Sequence, residues 1–258
     1  MSAPANQIMR VITGSAAVRR TPADDAPLDT QMLFGEVFSI EEQKDGWAQG
    51  SAVLDRYPGY VRLDMLGPLG PLPTHRVRVP RTFVYRDPDL KSSPLLWLSM
   101  NAKLALTAHS GGFSLIEDLG WIYSAHAAPI GMFTEDFVSA AEDFLGTPYL
   151  WGGRDGLGLD CSGLLQIAMQ SAGRECPRDT YQQVDLGAAL PVDMWALRRG
   201  DLIFWKGHVG IMRNADTLLH ANAYHMQVTR EPLADAVARI AQSHGQITGI
   251  RRLPKPGV

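Results

Sequence analysis

One cysteine and two histidines in the second half of the chain have the residue types that thiol chemistry needs. Cys161 follows a glycine-dense stretch and begins an apolar helical pattern, so we expect it at the amino terminus of a helix. Free amide groups and the positive end of the helix dipole favour a thiolate at such a position. Cys161 is therefore a candidate nucleophile, although a free cysteine is often only a buried core residue.

The two histidines lie on neighbouring predicted strands. His208 begins a stretch over 208–212 with strand character, and His220 lies in the next one, over 217–221. Since side chains alternate along a strand, pairing of these strands would place the imidazoles side by side, on the face that receives the Cys161 helix. We interpret Cys161 as the nucleophile, His208 as the base and His220 as the group that orients the base.

The elements that position these residues are predicted to be a helix and an antiparallel sheet. Short connections separate predicted strands over 201–205, 208–212, 217–221 and 227–230, which favours antiparallel neighbours. The Cys161 helix packed on these strands gives an α+β layer. After the last strand, Glu231 and Pro232 are interpreted as the start of an amphipathic helix, because proline is favoured at the first helical position.

The first half of the chain is predicted to contain two related β-barrels. Residues 18–22 resemble residues 84–88, and residues 46–47 resemble residues 112–113, both at an offset of 66. A third match, Gly-Tyr-Val against Gly-Trp-Ile, follows at an offset of 61. Three matches in order indicate a repeated unit of short strands. The first copy has five extra residues, which are expected to form a longer loop around a Tyr57-Pro58-Gly59 turn.

Composition excludes several classes of function. The chain has 258 residues and a net charge of −3 without a run of basic residues, so nucleic acid is not an expected partner. No stretch has the roughly 18 to 20 apolar residues that a membrane-spanning helix needs. The amino terminus lacks the pattern of a signal peptide, and the two cysteines make no disulfide framework, so we expect a cytoplasmic monomer.

The three candidate residues lie in segments that can be compared with known enzymes. The segments are Asp160-Cys161-Ser162-Gly163-Leu164, Arg199-Gly200-Asp201-Leu202 with Gly207-His208-Val209-Gly210-Ile211, and Leu219-His220-Ala221. In this order, and with 149–153, they resemble NlpC-type cell-wall cysteine peptidases over residues 131–252. The resemblance implies a papain-like α+β fold and a triad of cysteine, histidine and a third polar residue. It also implies that Tyr149 lies near an oxyanion hole to which the cysteine amide contributes.

The whole layout, with two units that resemble bacterial SH3-like domains before the peptidase, is similar to the γ-D-glutamyl-L-diamino acid endopeptidases, or dipeptidyl-peptidases VI. This resemblance implies that Asp160 and Tyr57 hold the free amine of an N-terminal L-Ala, with Glu36 bordering that site. It implies that Ser162 and Arg178 bind the carboxylate of D-Glu, as suits a guanidinium. By its strand-end position alone, Glu36 is expected to be a solvated carboxylate.

We therefore predict an SH3-like domain over 1–66, a second over 67–128 and a peptidase domain over 129–258. The predicted activity is hydrolysis of the γ-D-Glu to L-diamino acid bond in murein peptides with free L-Ala, during cell-wall recycling and without a cofactor. Alternatives are a hydrolase of the intact wall that uses the SH3-like domains as anchors, and a non-catalytic binding protein. A metal site at Cys161, His208 and His220 is disfavoured, because three ligands without the usual spacing do not suit zinc.

Overall fold

The structure is a computed structural model that describes residues 7–192 and 196–254. The chain divides into two compact units, Met1–Met132 and Phe133–Val258. The expectation that there is no signal peptide falls on residues 1–6, which lie outside the described residues. Among the helices in the described ranges, none is both long enough and apolar enough to cross a membrane.

The first unit consists of short strands and two single-turn 3-10 helices, Leu63–Met65 and Ser124–His126. Its strands are β1 (Gln7–Val11), β2 (Ser15–Arg19), β3 (Leu28–Leu33), β4 (Val37–Lys44), β5 (Trp47–Ala52), β6 (Pro58–Arg62), β7 (Leu66–Gly67), β8 (His75–Val77), β9 (Arg81–Tyr85), β10 (Pro94–Ser99), β11 (Lys103–Leu104), β12 (Leu106–Ser110), β13 (Phe113–Ile116), β14 (Gly120–Tyr123) and β15 (Ala127–Pro129).

The strand order of the first unit shows an internal repeat. One sheet has the order β3-β2-β6-β5-β4-β1-β7. The others have the orders β10-β9-β14-β13-β12 and β11-β8-β15, which together reproduce the first order with the strand equivalent to β4 divided at Ala105. Each copy has its own apolar core, one around Phe38 and Val61 and one around Leu98 and Ile122. The prediction of two small SH3-like barrels is confirmed.

The extra residues of the first copy lie in the hairpin between β5 and β6, as predicted. The carbonyl of Tyr57 accepts a hydrogen bond from the amide of Ala52, at 2.9 Å, and its own amide donates to Asp55 Oδ1, at 3.1 Å. Arg56 has a φ of +61°, in the left-handed region that such a turn requires. The ring of Tyr57 is partly buried against the core of the first copy.

Glu36 follows the turn between β3 and β4, and its environment differs from the prediction. The residue is only 2% exposed, and its Oε2 accepts the amide of Leu33 at 3.0 Å. Gly35 has a φ of +79°, which brings the chain back so that the amide of Glu36 also reaches the carbonyl of Leu33. The expectation of a solvated carboxylate is therefore wrong, because the carboxylate satisfies a backbone amide inside the turn.

The second unit is a sheet with helices, as the predicted α+β class requires. Its helices are α1 (Phe137–Glu142), α2 (Cys161–Ser171), α3 (Thr180–Gln183) and α4 (Leu233–His244). Its strands are β16 (Arg154–Asp155), β17 (Gly158–Leu159), β18 (Ala188–Leu190), β19 (Asp201–Trp205), β20 (His208–Met212), β21 (Thr217–Asn222), β22 (Gln227–Pro232) and β23 (Gly249–Arg252).

The main sheet of the second unit has the order β18-β23-β19-β20-β21-β22, with antiparallel neighbours. The strands predicted over 201–205 and 208–212 have those bounds in the structure. Helix α2 contacts β20 and β21, and α4 contacts β21 and β22. The strands that carry the two histidines are therefore packed against one helix that precedes them in the chain, α2, and one that follows them, α4.

Candidate active site

Helix α2 begins at Cys161, as the sequence predicts. Asp160 is the N-cap residue, and its Oδ1 accepts the amide of Gly163 at 2.7 Å, which satisfies one of the free amides of the first turn. A Cβ added to Gly163 would lie 2.2 Å from the carbonyl oxygen of Gly153, so only glycine lets the helix start pack this closely on the preceding loop. Cys161 itself is 8% exposed.

The carboxylate of Asp160 is filled by hydrogen bonds from its own surroundings. Its Oδ1 accepts from the amide of Gly163 at 2.7 Å, from Ser162 Oγ at 3.1 Å and from Arg178 Nη1 at 3.0 Å. Its Oδ2 accepts from the amide of Gly152 at 3.0 Å and from Arg178 Nη2 at 2.6 Å. Because a carboxylate offers about four lone-pair positions, these donors account for its capacity. Asp160 therefore organises the loop and the helix start together.

The structure brings together three residues for which substrate contacts are predicted. Arg178 is 1% exposed, pairs with Asp160 and donates to Ser162 Oγ at 2.7 Å. Its Nη2 also lies 3.4 Å from the carbonyl oxygen of Gly153. The residues expected to hold an amine and a carboxylate thus form one buried ion pair. Their contacts with a substrate stay predictions.

The two imidazoles lie side by side, as predicted from strand alternation. His208 Nε2 lies 2.8 Å from His220 Nδ1, and the ring centroids are 5.0 Å apart. The ring of His208 also lies 5.7 Å from that of Trp205, which packs with Leu218 and the residues of α4 in one core. The helix that covers the histidine face is therefore α4. The prediction that this face receives the Cys161 helix is wrong.

The sulfur of Cys161 lies close to the strand that carries His208. It accepts hydrogen bonds from the backbone amides of Val209 and Ser162. Val209 directly follows His208, and its amide lies in the plane of the sheet, as strand amides do. The pairing of β20 with β21 covers Ile211 with Leu219 and Met212 with Leu218, so Val209 lies beyond the paired segment. The cysteine thus reaches the first residues of β20, outside the segment that pairs with β21.

Glu231, an acidic residue that was not predicted to belong to the site, extends the hydrogen bond between the two imidazoles. His208, His220 and Glu231 form a hydrogen-bonded row. Glu231 Oε1 lies 2.7 Å from His220 Nε2 and also accepts from Arg239 of α4. The amphipathic helix predicted after the last strand is present as α4, but it begins at Leu233 with Pro232 as its N-cap residue, so Glu231 belongs to β22 and not to the helix. Extension of the predicted strand 227–230 by one residue would have placed Glu231 opposite Leu218, on the face of His220.

The acceptors and donors of this row determine the tautomers of the neutral rings. An ionised carboxylate only accepts, so His220 Nε2 carries the proton that it donates to Glu231. His220 Nδ1 then has a lone pair and accepts the proton of His208 Nε2. His208 Nδ1 is left with a lone pair. This nitrogen is the one that can take the proton of the Cys161 thiol.

Burial determines whether Cys161 and His208 carry a charge. Burial raises the pKa of the Cys161 thiol to about 12, and the charge of Asp160 adds to this, against the amides of Val209 and Ser162. Burial also lowers the pKa of His208 to about 3, with a contribution from His220. In the unliganded site the proton therefore stays on sulfur, and burial outweighs the helix-terminal groups that favour a thiolate.

Tyr149 lies in the loop that precedes the cysteine and is close to it in space. Burial raises the pKa of its hydroxyl, and the charge of a Cys161 thiolate contributes next. Its amide donates to the carbonyl of Met226 at 2.9 Å, and it forms a bridge with Leu159. The backbone on both sides of the site thus holds Tyr149 beside the sulfur. Its place at an oxyanion hole stays a prediction.

Comparison with known proteins identifies both parts of the chain. The family described as NlpC/P60 matches residues 146–242, which include the cysteine and both histidines. The family described as the bacterial dipeptidyl-peptidase Sh3 domain matches residues 18–66, in the first copy of the barrel repeat.

Two relatives align with most of the chain. The chain is 31% identical over 221 residues to a protein named gamma-D-glutamyl-L-lysine dipeptidyl-peptidase from Bacillus subtilis (strain 168), which spans 76% of this chain and 73% of the relative. It is 34% identical over 236 residues to a protein named dipeptidyl-peptidase 6 from Lysinibacillus sphaericus, which spans 82% of this chain and 86% of the relative.

A solved structure has the same fold. The crystal structure of an NlpC/P60 family protein from Bacillus cereus ATCC 10987 superposes with a TM-score of 0.81, over 96% of this chain and 100% of that chain, at 22% identity. Fold, family matches and aligned relatives agree with the thiol and imidazole arrangement of the second unit. The chain therefore belongs to the NlpC/P60 family and is a cysteine peptidase.

Proposed function

We propose that this peptidase hydrolyses the bond between γ-D-Glu and an L-diamino acid in murein peptides that begin with an unblocked L-Ala. The observation that carries the proposal is the contact of Cys161 with the backbone of Val209, which directly follows His208, whose ring is hydrogen-bonded to that of His220. The chain also aligns with a relative that is named for this bond. The arrangement supplies a nucleophile, a base with a free Nδ1 and a group that orients the base.

The reaction follows from these three groups. As the sulfur of Cys161 attacks the γ-carbonyl carbon, Nδ1 of His208 takes the thiol proton. The oxyanion that forms accepts a hydrogen bond from the backbone amide of Cys161 at the start of α2, where the helix dipole favours negative charge. The imidazolium then gives its proton to the departing amine of the diamino acid, which leaves a thioester on Cys161. Water, deprotonated by His208, hydrolyses the thioester and releases the dipeptide.

The charges of the L-Ala-γ-D-Glu end of the peptide are opposite to those of the ion pair between Asp160 and Arg178. L-Ala-γ-D-Glu carries one ammonium group and one free carboxylate, and Asp160 and Arg178 carry the opposite charges. An ammonium near Asp160 and a carboxylate near Arg178 would each be attracted by a charge of opposite sign, while the hydrogen bonds that already fill the carboxylate of Asp160 stay in place. The proposed roles of Tyr57 and Glu36 in amine binding rest on the resemblance of the first unit to the domains that precede such peptidases.

An enzyme that requires a free L-Ala amine would act on peptides that have already been released from the glycan. We therefore place its role in the recycling of wall fragments in the cytoplasm, which fractionation of cells with an antibody against the native protein would test. Recovery of the protein with the cell wall would instead support a hydrolase of the intact polymer.

The test is cleavage by the full chain of L-Ala-γ-D-Glu-diaminopimelate, of the lysine analogue and of both peptides with an acetylated amine, followed by mass spectrometry. We expect release of L-Ala-γ-D-Glu, with acetylation lowering kcat/KM by at least ~10-fold because the amine loses its charge-assisted contact. Cys161→Ala is expected to remove cleavage without a change in circular dichroism. Cys176→Ala, the matched variant at the other buried cysteine, is expected to keep it.

Three outcomes would contradict the proposal. Equal cleavage of free and acetylated peptides would remove the requirement for a free amine, and cleavage of polymeric murein would favour the wall hydrolase. Turnover retained in Cys161→Ala would overturn the choice of nucleophile. For the first unit, Tyr57→Phe and Glu36→Gln are expected to raise KM for the free peptide only, and unchanged kinetics would exclude both residues from the amine site.

A further inference from the structure

The hydrogen-bonded row does not end at the orienting histidine. His220 Nε2 lies 2.7 Å from Glu231 Oε1, and the side chains of His220 and Glu231 are 0% and 12% exposed. The same oxygen of Glu231 accepts from Arg239, whose guanidinium lies 4.4 Å from the ring centroid of Tyr224. A carboxylate and a guanidinium from different elements thus converge on the ring that orients the base.

We propose that Glu231 is a positioning residue for catalysis, which fixes the tautomer of both imidazoles and stabilises their positive charge after His208 takes the thiol proton. Arg239 holds Glu231 in place and opposes that charge. The inference rests on the proposed role of His208 as the base. Glu231 acts through His220 and touches neither the sulfur nor the substrate.

The tautomer argument requires an acceptor at this position. His220 is buried, so the loss of its partner would leave Nε2–H without water and without a protein acceptor. The neutral ring would then favour the other tautomer, with the proton on Nδ1, which would face the proton of His208 Nε2. His208 would have to rotate or carry its own proton on Nδ1, and Nδ1 would no longer accept from the thiol. The carboxylate thus acts on the reacting nitrogen across two rings.

A structural ion pair is the competing explanation, since Glu231 on β22 and Arg239 on α4 also hold the helix on the sheet. The two explanations differ in electrostatics. Charged and titratable groups act on the imidazoles from three elements: Glu231 on β22, Arg239 and His244 on α4, and His225 in the turn before β22. Burial has the largest effect and lowers the pKa of both rings; Glu231 raises the pKa of His220, and Arg239 lowers the pKa of both.

The signs therefore predict opposite responses to two substitutions. Glu231→Gln removes the negative charge, so the acid limb of kcat/KM is expected to move to lower pH. Arg239→Met removes the positive charge but keeps much of the side-chain volume, so the acid limb is expected to move to higher pH. A purely structural pair would be lost in both variants, which would then weaken the fold alike and leave the acid limb in place.

The experiment compares the full chain with Glu231→Gln, Arg239→Met and the control Glu142→Gln. Glu142 is a glutamate of α1 with 21% side-chain exposure that pairs with Arg199 and Arg213, so its loss reproduces the removal of an ion pair elsewhere in the unit. Peptide cleavage is measured from pH ~3 to pH ~9, and the titration of the His208 and His220 rings is followed by NMR over the same range. For Glu231→Gln we expect kcat to fall by ~10- to 100-fold with KM within ~2-fold, because only the base is impaired.

Each outcome decides between the explanations. An unchanged kcat in Glu231→Gln, or acid limbs that shift in the same direction in both variants, would overturn the proposal. If Glu231→Gln does not fold, Glu231→Asp keeps the charge and Arg239→Met still tests the predicted upward shift. If the wild-type chain cleaves none of the peptides, the proposed function fails, whereas the ring titrations of the same variants still test Glu231. The ring pKa of His220 is expected to fall in Glu231→Gln and to rise in Arg239→Met, and unchanged ring titrations would overturn the proposal.

Discussion

Alkylation of Cys161 by iodoacetamide in the unliganded protein is expected to report a thiol rather than a thiolate across the neutral pH range. The helix terminus and the neighbouring imidazole are the features that usually favour an ion pair in cysteine peptidases. Here burial acts against both charged forms, since it raises the pKa of Cys161 to about 12 and lowers the pKa of His208 to about 3.

The free energy of proton transfer from Cys161 to His208 follows from these two pKa values. The pKa of the thiol, about 12, exceeds that of the imidazole, about 3, by about nine pH units. At 1.36 kcal/mol for each unit, transfer of the proton is opposed by about 12 kcal/mol. Attraction between the charges formed offsets about 4 kcal/mol, for a separation of ~4 Å and an effective dielectric constant of ~20. The neutral pair is therefore favoured by about 8 kcal/mol.

The assay uses the Cys176→Ala protein, so that Cys161 is the remaining cysteine, and follows the alkylated mass at pH values from ~5 to ~9. A free thiol with a pKa near ~8.5 is about 3% ionised at pH ~7, and we expect Cys161 to react at least ~100-fold more slowly than glutathione there. The absorbance of a thiolate near ~240 nm is expected to be the same as in Cys161→Ala. A rate that stays constant down to pH ~5, with that absorbance present, would show an ion pair and refute the reasoning.

Two further predictions concern stability. Arg178→Met is expected to lower the free energy of unfolding by about 3 kcal/mol, because it leaves the charge of Asp160 buried with fewer donors; an unchanged melting temperature with a raised KM would mean that Arg178 serves the substrate and not the ion pair. Stability is also expected to fall as the pH drops below ~6.5, because unfolded histidines bind protons that the folded His208, with a pKa of about 3, does not. The loss by pH ~3 is about 4 to 5 kcal/mol for His208, and urea unfolding of His208→Gln should show a smaller loss than the parent protein.

Strand alternation was sufficient to predict the imidazole pair. Two short hairpins fix the register of β19, β20 and β21, so residues that share a face in the sequence pattern also share it in the sheet. The repeat in the first half was predictable for a similar reason, since each copy conserves the spacing between its turns and strands. Local periodicity determined both results, and neither depended on contacts between distant residues.

Glu231 and Glu36 show where local rules failed. The Glu-Pro pair suggested a helix start, yet β22 continues to Pro232, two residues beyond the predicted strand, and Glu231 within it contacts His220. Glu36 was expected in solvent, but a left-handed glycine folds its carboxylate onto the amide of Leu33. Both side chains are acidic and lie near the end of a strand, and only their partners distinguish them from surface residues.

A neutral resting pair is compatible with efficient catalysis, because acceleration depends on the transition state and not on the charge of the free enzyme. When the sulfur of Cys161 begins to bond to carbon, its acidity rises, and the proton can pass to His208 Nδ1 in the same step. The row through His220 to Glu231 is already oriented to receive the positive charge at that moment, so little reorganisation is required. Burial thus suppresses reactions of the free thiol, whereas the acidic end of the row makes the proton transfer favourable once a carbonyl is in place.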